Sequence, residues 1–64
     1  MVRINGQDID AGGQNLLTYL TEKEYRTDRI AIELNGKIVP RGTYDSVTLK
    51  DGDSMEIVHF VGGG

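Results

Sequence analysis

The sequence predicts an α+β fold, a mixed sheet of four to five strands packed on one helix. Three observations predict it. Short runs in which apolar and polar residues alternate recur along the chain, and alternation is the signature of a half-buried strand. Asn5-Gly6, Asn35-Gly36 and Asp51-Gly52 punctuate those runs, and such pairs accept the positive φ that tight hairpin turns demand. Only one segment places apolar residues at helical spacing. The chain has 64 residues, enough for one domain that buries about 60% of its unfolded surface. One helix layer on one sheet layer is what such a chain can build.

Val2-Arg3-Ile4 is the first strand and Asn5-Gly6 its turn. Gln7 to Asp10 returns, with Ile9 inward, and Ala11-Gly12-Gly13 is a loop. The helix spans about Asn15 to Glu24, with Asn15 as its cap. Leu16, Leu17 and Leu20 share one face, whereas Thr18, Thr21, Glu22 and Lys23 lie off it. A helix this short must pack on something to persist. Ile30 to Leu34 alternates cleanly, with Ile30, Ile32 and Leu34 inward. Asn35-Gly36 turns the chain into the short return Lys37-Ile38-Val39, and Pro40 ends it because proline has no N–H for the ladder. Arg41 to Asp45 is a turn-like connector, Val47-Thr48-Leu49 a further short strand, and Met55 to Val61 the last strand. Two hairpins flanking a single helix, ββαββ with the further short strand, fit a β-grasp arrangement. There the first and last strands lie side by side and parallel at the sheet centre. The expected core is Val2, Ile4, Leu16, Leu17, Leu20, Ile30, Ile32, Leu34, Leu49, Met55 and Ile57.

Composition narrows the function. The chain has no cysteine, which excludes a disulfide scaffold, a thiolate metal site and a cysteine nucleophile. Seven basic against ten acidic residues give a net charge of −3. The basic residues Arg3, Lys23, Arg26, Arg29, Lys37, Arg41 and Lys50 are scattered, so no nucleic acid is expected, because binding it needs a basic stripe. A protein partner with a positive face fits better. No apolar run is long enough for a signal peptide or a membrane span, so no membrane is expected and a cytoplasmic location is the default.

Several motifs dissolve on inspection. Asp8-Ile9-Asp10-Ala11-Gly12-Gly13 begins like a calcium loop, but its twelfth position is Tyr19 where a bidentate glutamate is needed. Gly12-Gly13 lacks the lysine of a phosphate loop. His59 is the single histidine and reads as an ordinary strand residue, with no metal site expected. Tyr19, Tyr25 and Tyr44 read as core-edge or turn residues, and Arg41 as a solvated turn arginine. No serine has a recognisable base, so no catalytic residue is expected.

The last strand runs into Gly62-Gly63-Gly64. Glycine lacks a Cβ, so such a tail can enter a channel too narrow for other residues. A free carboxylate on Gly64 is then the group an enzyme could activate as an acyl adenylate. The bland reading is a frayed terminus.

The stretch Asn35-Gly36-Lys37-Ile38-Val39-Pro40-Arg41, then Tyr44, then Leu49-Lys50-Asp51-Gly52-Asp53, then Glu56-Ile57-Val58, closing on Gly63-Gly64, resembles the ThiS family, the sulfur-carrier proteins of thiamin biosynthesis. The resemblance covers essentially the whole chain. It implies a ubiquitin-like β-grasp domain over residues 1–61, a flexible tail over 62–64, and no catalysis by the chain itself. It implies that an ATP-dependent adenylating enzyme activates Gly64 and that a sulfur donor protein converts it to a thiocarboxylate. A thiazole synthase then takes that sulfur. No cofactor is expected on the chain itself, since the partner binds the ATP. Two other readings compete. The small sulfur-carrier subunit of molybdopterin synthase is similar in fold and tail, but it is usually longer and has prolines before the tail, where this chain has Phe60-Val61-Gly62. A ubiquitin-like interaction or modifier domain would use no sulfur at all.

If Met55 and Ile57 face the core, then Glu56, Val58 and Phe60 face away from it. Val58 and Phe60, with Ala31 and Glu33 on the neighbouring pleat, form the expected docking patch for the adenylating enzyme, because a small monomer seldom exposes an apolar patch without a use for it.

Overall fold

The computed structural model describes residues 1–60 of the chain. Its elements are β1 (Val2–Ile4), β2 (Gln7–Ile9), α1 (Leu16–Glu22), a 3-10 turn (Thr27–Arg29), β3 (Ile30–Leu34), β4 (Lys37–Val39), a second 3-10 turn (Arg41–Ser46) and β5 (Ser54–His59). The five strands form one mixed sheet in the order β2-β1-β5-β3-β4. β1 runs parallel to β5, with Arg3 beside Ser54 and Ile4 beside Met55. β3 pairs antiparallel with β5 from Ile30–His59 to Leu34–Met55. The first and last strands therefore meet at the centre, as the β-grasp reading requires.

Both hairpins turn as their Asn-Gly pairs dictate. Asn5 and Gly6 sit at φ 50° and 82°, and Asn35 and Gly36 at 52° and 84°. Two central residues with positive φ give a turn whose twist matches the strands. Asn15 caps α1 as expected, its side-chain oxygen accepting from the Thr18 N–H at 3.1 Å. The helix ends at Glu22, two residues earlier than its apolar spacing suggests, and Glu24 at φ 63° reverses the chain.

The helix and one face of the sheet share a core of Val2, Ile4, Ala11, Leu16, Tyr19, Leu20, Ile30, Ile32, Tyr44, Leu49, Met55 and Ile57. Leu17 and Leu34, expected inside, are only partly buried against it. Ala11, Tyr19 and Tyr44 take places that the sequence did not assign to them. Tyr44 lies in the second 3-10 turn, as a turn residue, but at 3% exposed its side chain is part of the core. Tyr19 lies on α1 facing the sheet side, and burial raises its phenol pKa. The expected strand Val47–Leu49 is reduced to one bridge between Asn15 and Thr48. The loop still serves the helix there, since the Val47 carbonyl accepts from the Leu16 N–H at 2.8 Å. A Cβ at Gly12 would meet the exposed Asp51 carboxylate, which would have to swing aside.

Candidate functional site

The outer face of the sheet, opposite the helix, is where the chain exposes apolar groups. Along β5 the pattern is strict: Met55 and Ile57 are buried, while Glu56 and Val58 are exposed. Val58 is 51% exposed and Phe60, just past the strand, 54%. Ala31 lies directly across from Val58, and Glu33 directly across from Glu56. The four residues expected to form a patch therefore do share one face. The structure adds Ile38 to that face and sets Glu56, already expected to face away from the core, opposite Glu33. Ile38, 67% exposed, is the cross-strand neighbour of Glu33. Glu56 opposes Glu33 as a like charge, an arrangement that weakens a sheet. Among the described residues neither carboxylate is in a salt bridge; those present join Met1 to Asp51, Arg3 to Asp8 and Arg26 to Asp28.

The end of β5 is built by residues with two jobs. Asn5, already a turn residue, reaches across to Ile57: its side-chain oxygen accepts from the Ile57 N–H at 2.7 Å and its amide donates to the Ile57 carbonyl at 3.3 Å. The side chain thus continues the β1 ladder one step past the strand. On the far side of β3, Pro40 stops the β4 ladder, and the Arg41 guanidinium donates to the Ile30 carbonyl at 3.1 Å in its place. Arg41 is an exposed turn residue, as its position suggested, and its guanidinium also serves as a donor to the first residue of β3. His59 leans on Tyr25, ring centroids 5.5 Å apart, which agrees with an ordinary strand role. Nearby Arg26 lies 3.2 Å from Asp28 and holds that exposed carboxyl below its usual pKa. Gly62, Gly63 and Gly64, the expected tail and sulfur-carrying residue, lie outside the described residues, as does Val61.

Among the described residues no three His, Asp or Glu side chains gather in a metal-binding group, and no pocket forms. No helix there is long and apolar enough to cross a membrane. What the described residues offer is surface: an exposed strand end with an apolar and acidic face beside it.

The order of the sheet and its single helix define a ubiquitin-like β-grasp domain. The ThiS family model matches residues 2–64, nearly the whole chain and all three terminal glycines, and the chain belongs to that family. It is 35% identical to the sulfur carrier protein ThiS of Bacillus subtilis, an alignment that covers 100% of both chains. Among solved structures, the crystal structure of the thiamine biosynthesis protein ThiS from Geobacter metallireducens superposes with a TM-score of 0.77 at 34% identity, covering 98% of this chain and 97% of that one. The chain is also 38% identical to part of a thiazole synthase of Magnetococcus marinus, covering 98% of this chain and 20% of that protein. It spans about a fifth of the length of the thiazole synthases it matches.

Proposed function

We propose that the chain is the sulfur carrier of thiamin biosynthesis and that Gly64 is its chemical site. A carboxylate oxygen of Gly64 attacks the α-phosphorus of an ATP held by an adenylating enzyme, and pyrophosphate leaves. The outer sulfur of a donor protein's cysteine persulfide then attacks the acyl carbon and AMP leaves. A partner thiol attacks the donor sulfur of the resulting acyl disulfide and its S–S bond breaks. The donor is left in a disulfide with that thiol, and the terminus departs as a thiocarboxylate. A thiazole synthase consumes that sulfur. The chain supplies reach and recognition, while the partner supplies ATP binding and the electrostatic stabilisation of the charged intermediate. The observation that carries this reading is the family match through the terminal glycines, joined to end-to-end similarity with a named sulfur carrier. The work is cytoplasmic, where ATP is at hand.

Residues 1–61 form the recognised body in this reading and 62–64 the part that enters the partner. Ordering three tail residues costs about 3–6 kcal/mol of backbone entropy, at about 1–2 per residue. Apolar contacts at Val58, Phe60 and Ala31, with Glu33 for orientation, offset it when the body docks. Mass spectrometry after incubation with the adenylating enzyme, ATP and a sulfur donor tests the assignment. The expected gain is one sulfur in place of one oxygen on the C-terminal peptide. Deleting Gly64 leaves a glycine terminus one residue short of the pocket and should abolish loading without unfolding the body, because reach is part of catalysis. A gain on another peptide, or equal loading of the shortened chain, rules the reading out. Phe60→Asp should weaken binding to the adenylating enzyme and leave the fold unchanged, and unaltered affinity removes the patch from the site.

A further inference from the structure

The hydrogen-bond parity of β5 leaves one backbone position open beside the tail. In an antiparallel pair, residues alternate between those that exchange bonds with the partner strand and those that face away from it. The Phe60 N–H donates to the Arg29 carbonyl at 2.9 Å and the Asn35 N–H to the Ser54 carbonyl at 2.7 Å. The even residues of β5 therefore face β3. The odd ones face β1, where Ile57 meets the Asn5 side chain. His59 is the next odd residue. β1 has already ended, its register with β5 stopping at Ile4–Met55. Among the described residues, the His59 N–H and carbonyl have no partner on that side. A donor and an acceptor from one residue, pointing the same way off a strand edge, are a template for another strand.

We propose that this edge receives an extended strand of the thiazole synthase, which pairs with the His59 backbone where the chain runs on toward Gly64. The proposal rests on the sulfur-carrier reading. Strand addition draws affinity from main-chain bonds and specificity from alternate side chains, and the alternate side chains here are the exposed Val58 and Phe60. Asn5 sets the register, because it fills the edge up to Ile57 and leaves pairing to begin at His59. The synthase is the occupant because similar segments occur inside longer chains named thiazole synthase. A second copy of the chain is a poor occupant. Each copy holds its own strands in its own sheet and has no free strand among the described residues to lend.

Hydrogen exchange read at single amides tests the proposal. The His59 amide should exchange fast in the free chain and about tenfold or more slower with the synthase bound. His59→Pro removes the N–H that faces the open edge and no bond to β3, so the variant should keep its fold and bind about tenfold more weakly, the loss expected for one hydrogen bond. His59→Ala keeps the N–H and should bind as the unaltered chain does. A His59 amide already protected in the free chain, protection that grows with carrier concentration alone, or a fast amide in the synthase complex each overturns the proposal. So does equal weakening by His59→Pro and His59→Ala. Sulfur loading of Gly64 is scored separately, so loss of the carrier reading shows there and not in the exchange pattern.

Discussion

The two ends of β5 use the same residue type in opposite ways. At its start, Asn35 accepts from the Ser54 N–H at 2.9 Å and donates to Asp53 at 3.0 Å. Asp53 in turn accepts from the Lys50 N–H at 2.9 Å, and its carbonyl accepts from the Arg3 N–H at 2.8 Å. The strand is held there from both sides before Met55 enters the core. At its end, Asn5 closes one side at Ile57, and beyond it only the β3 side is paired. Both asparagines belong to Asn-Gly turns with nearly equal φ angles. Turn chemistry alone therefore does not say what an asparagine does. Its side chain is free to lock a strand at one end and to mark where pairing stops at the other.

Truncating side chains at the two ends puts this contrast under the heaviest strain. Met55 is fully buried. Met55→Ala should cost about 2–5 kcal/mol, the range for emptying a core site. His59 is exposed at the other end, so His59→Ala should change stability by less than about 0.5 kcal/mol. Urea denaturation measures both, and comparable losses would show that the end of β5 is bound into the fold no less firmly than its start.

The asparagines come next. Glycine keeps the positive φ of either turn and removes only the side-chain bonds, so Asn5→Gly and Asn35→Gly isolate those bonds. The bonds of Asn5 to the Ile57 N–H and carbonyl are part-buried, and Ile57 is 5% exposed. An unsatisfied buried group costs about 1–3 kcal/mol. The partners of Asn35 are exposed and water can replace it, so its loss should stay below about 1 kcal/mol. The same denaturation series reads the difference, and an equal cost at both positions would erase the asymmetry.

Much of this was legible in the sequence, for local reasons. Asn5-Gly6 and Asn35-Gly36 carry their turns with them, Asn15 carries its cap, and alternation along β5 separates Met55 and Ile57 from Val58. What was not legible depends on residues far apart in the chain. Asn5 is explained by Ile57, and Arg41 by the Ile30 carbonyl. How deeply Tyr19 and Tyr44 are buried was not legible, because a tyrosine has an apolar body and a polar tip, and pattern alone does not choose between them. The exposed face at Val58 and Phe60 followed from period-2 spacing. The open backbone at His59 did not, because ladder parity needs the register with β3 and the length of β1, and neither is written in a local motif.

The smallest expected effect lies midway along the strand. Glu56 and Glu33 face each other across a hydrogen-bonded pair at the sheet centre, and no basic side chain bridges them among the described residues. Directly opposed like charges destabilise a sheet, and such pairs weigh about 0.2–1 kcal/mol. Glu56→Gln removes the repulsion and keeps the size and shape of the side chain. It should therefore stabilise the free chain by about 0.2–1 kcal/mol, a rise of a few degrees in Tm for a domain of this size. Salt supplies the control. At about 1 M the Debye length falls to about 3 Å, so the gain should shrink there. In the docked state the sign should reverse if the patch meets a positive face, because one of two attracting charges is gone. A more stable chain that binds the adenylating enzyme less well would mean that the centre of β5 gives up stability for recognition, as its end does. A Glu56→Gln variant that is less stable at low salt would show that the carboxylate already has a favourable partner within the fold. The outer face would then belong with the locked start of β5 and not with its open end.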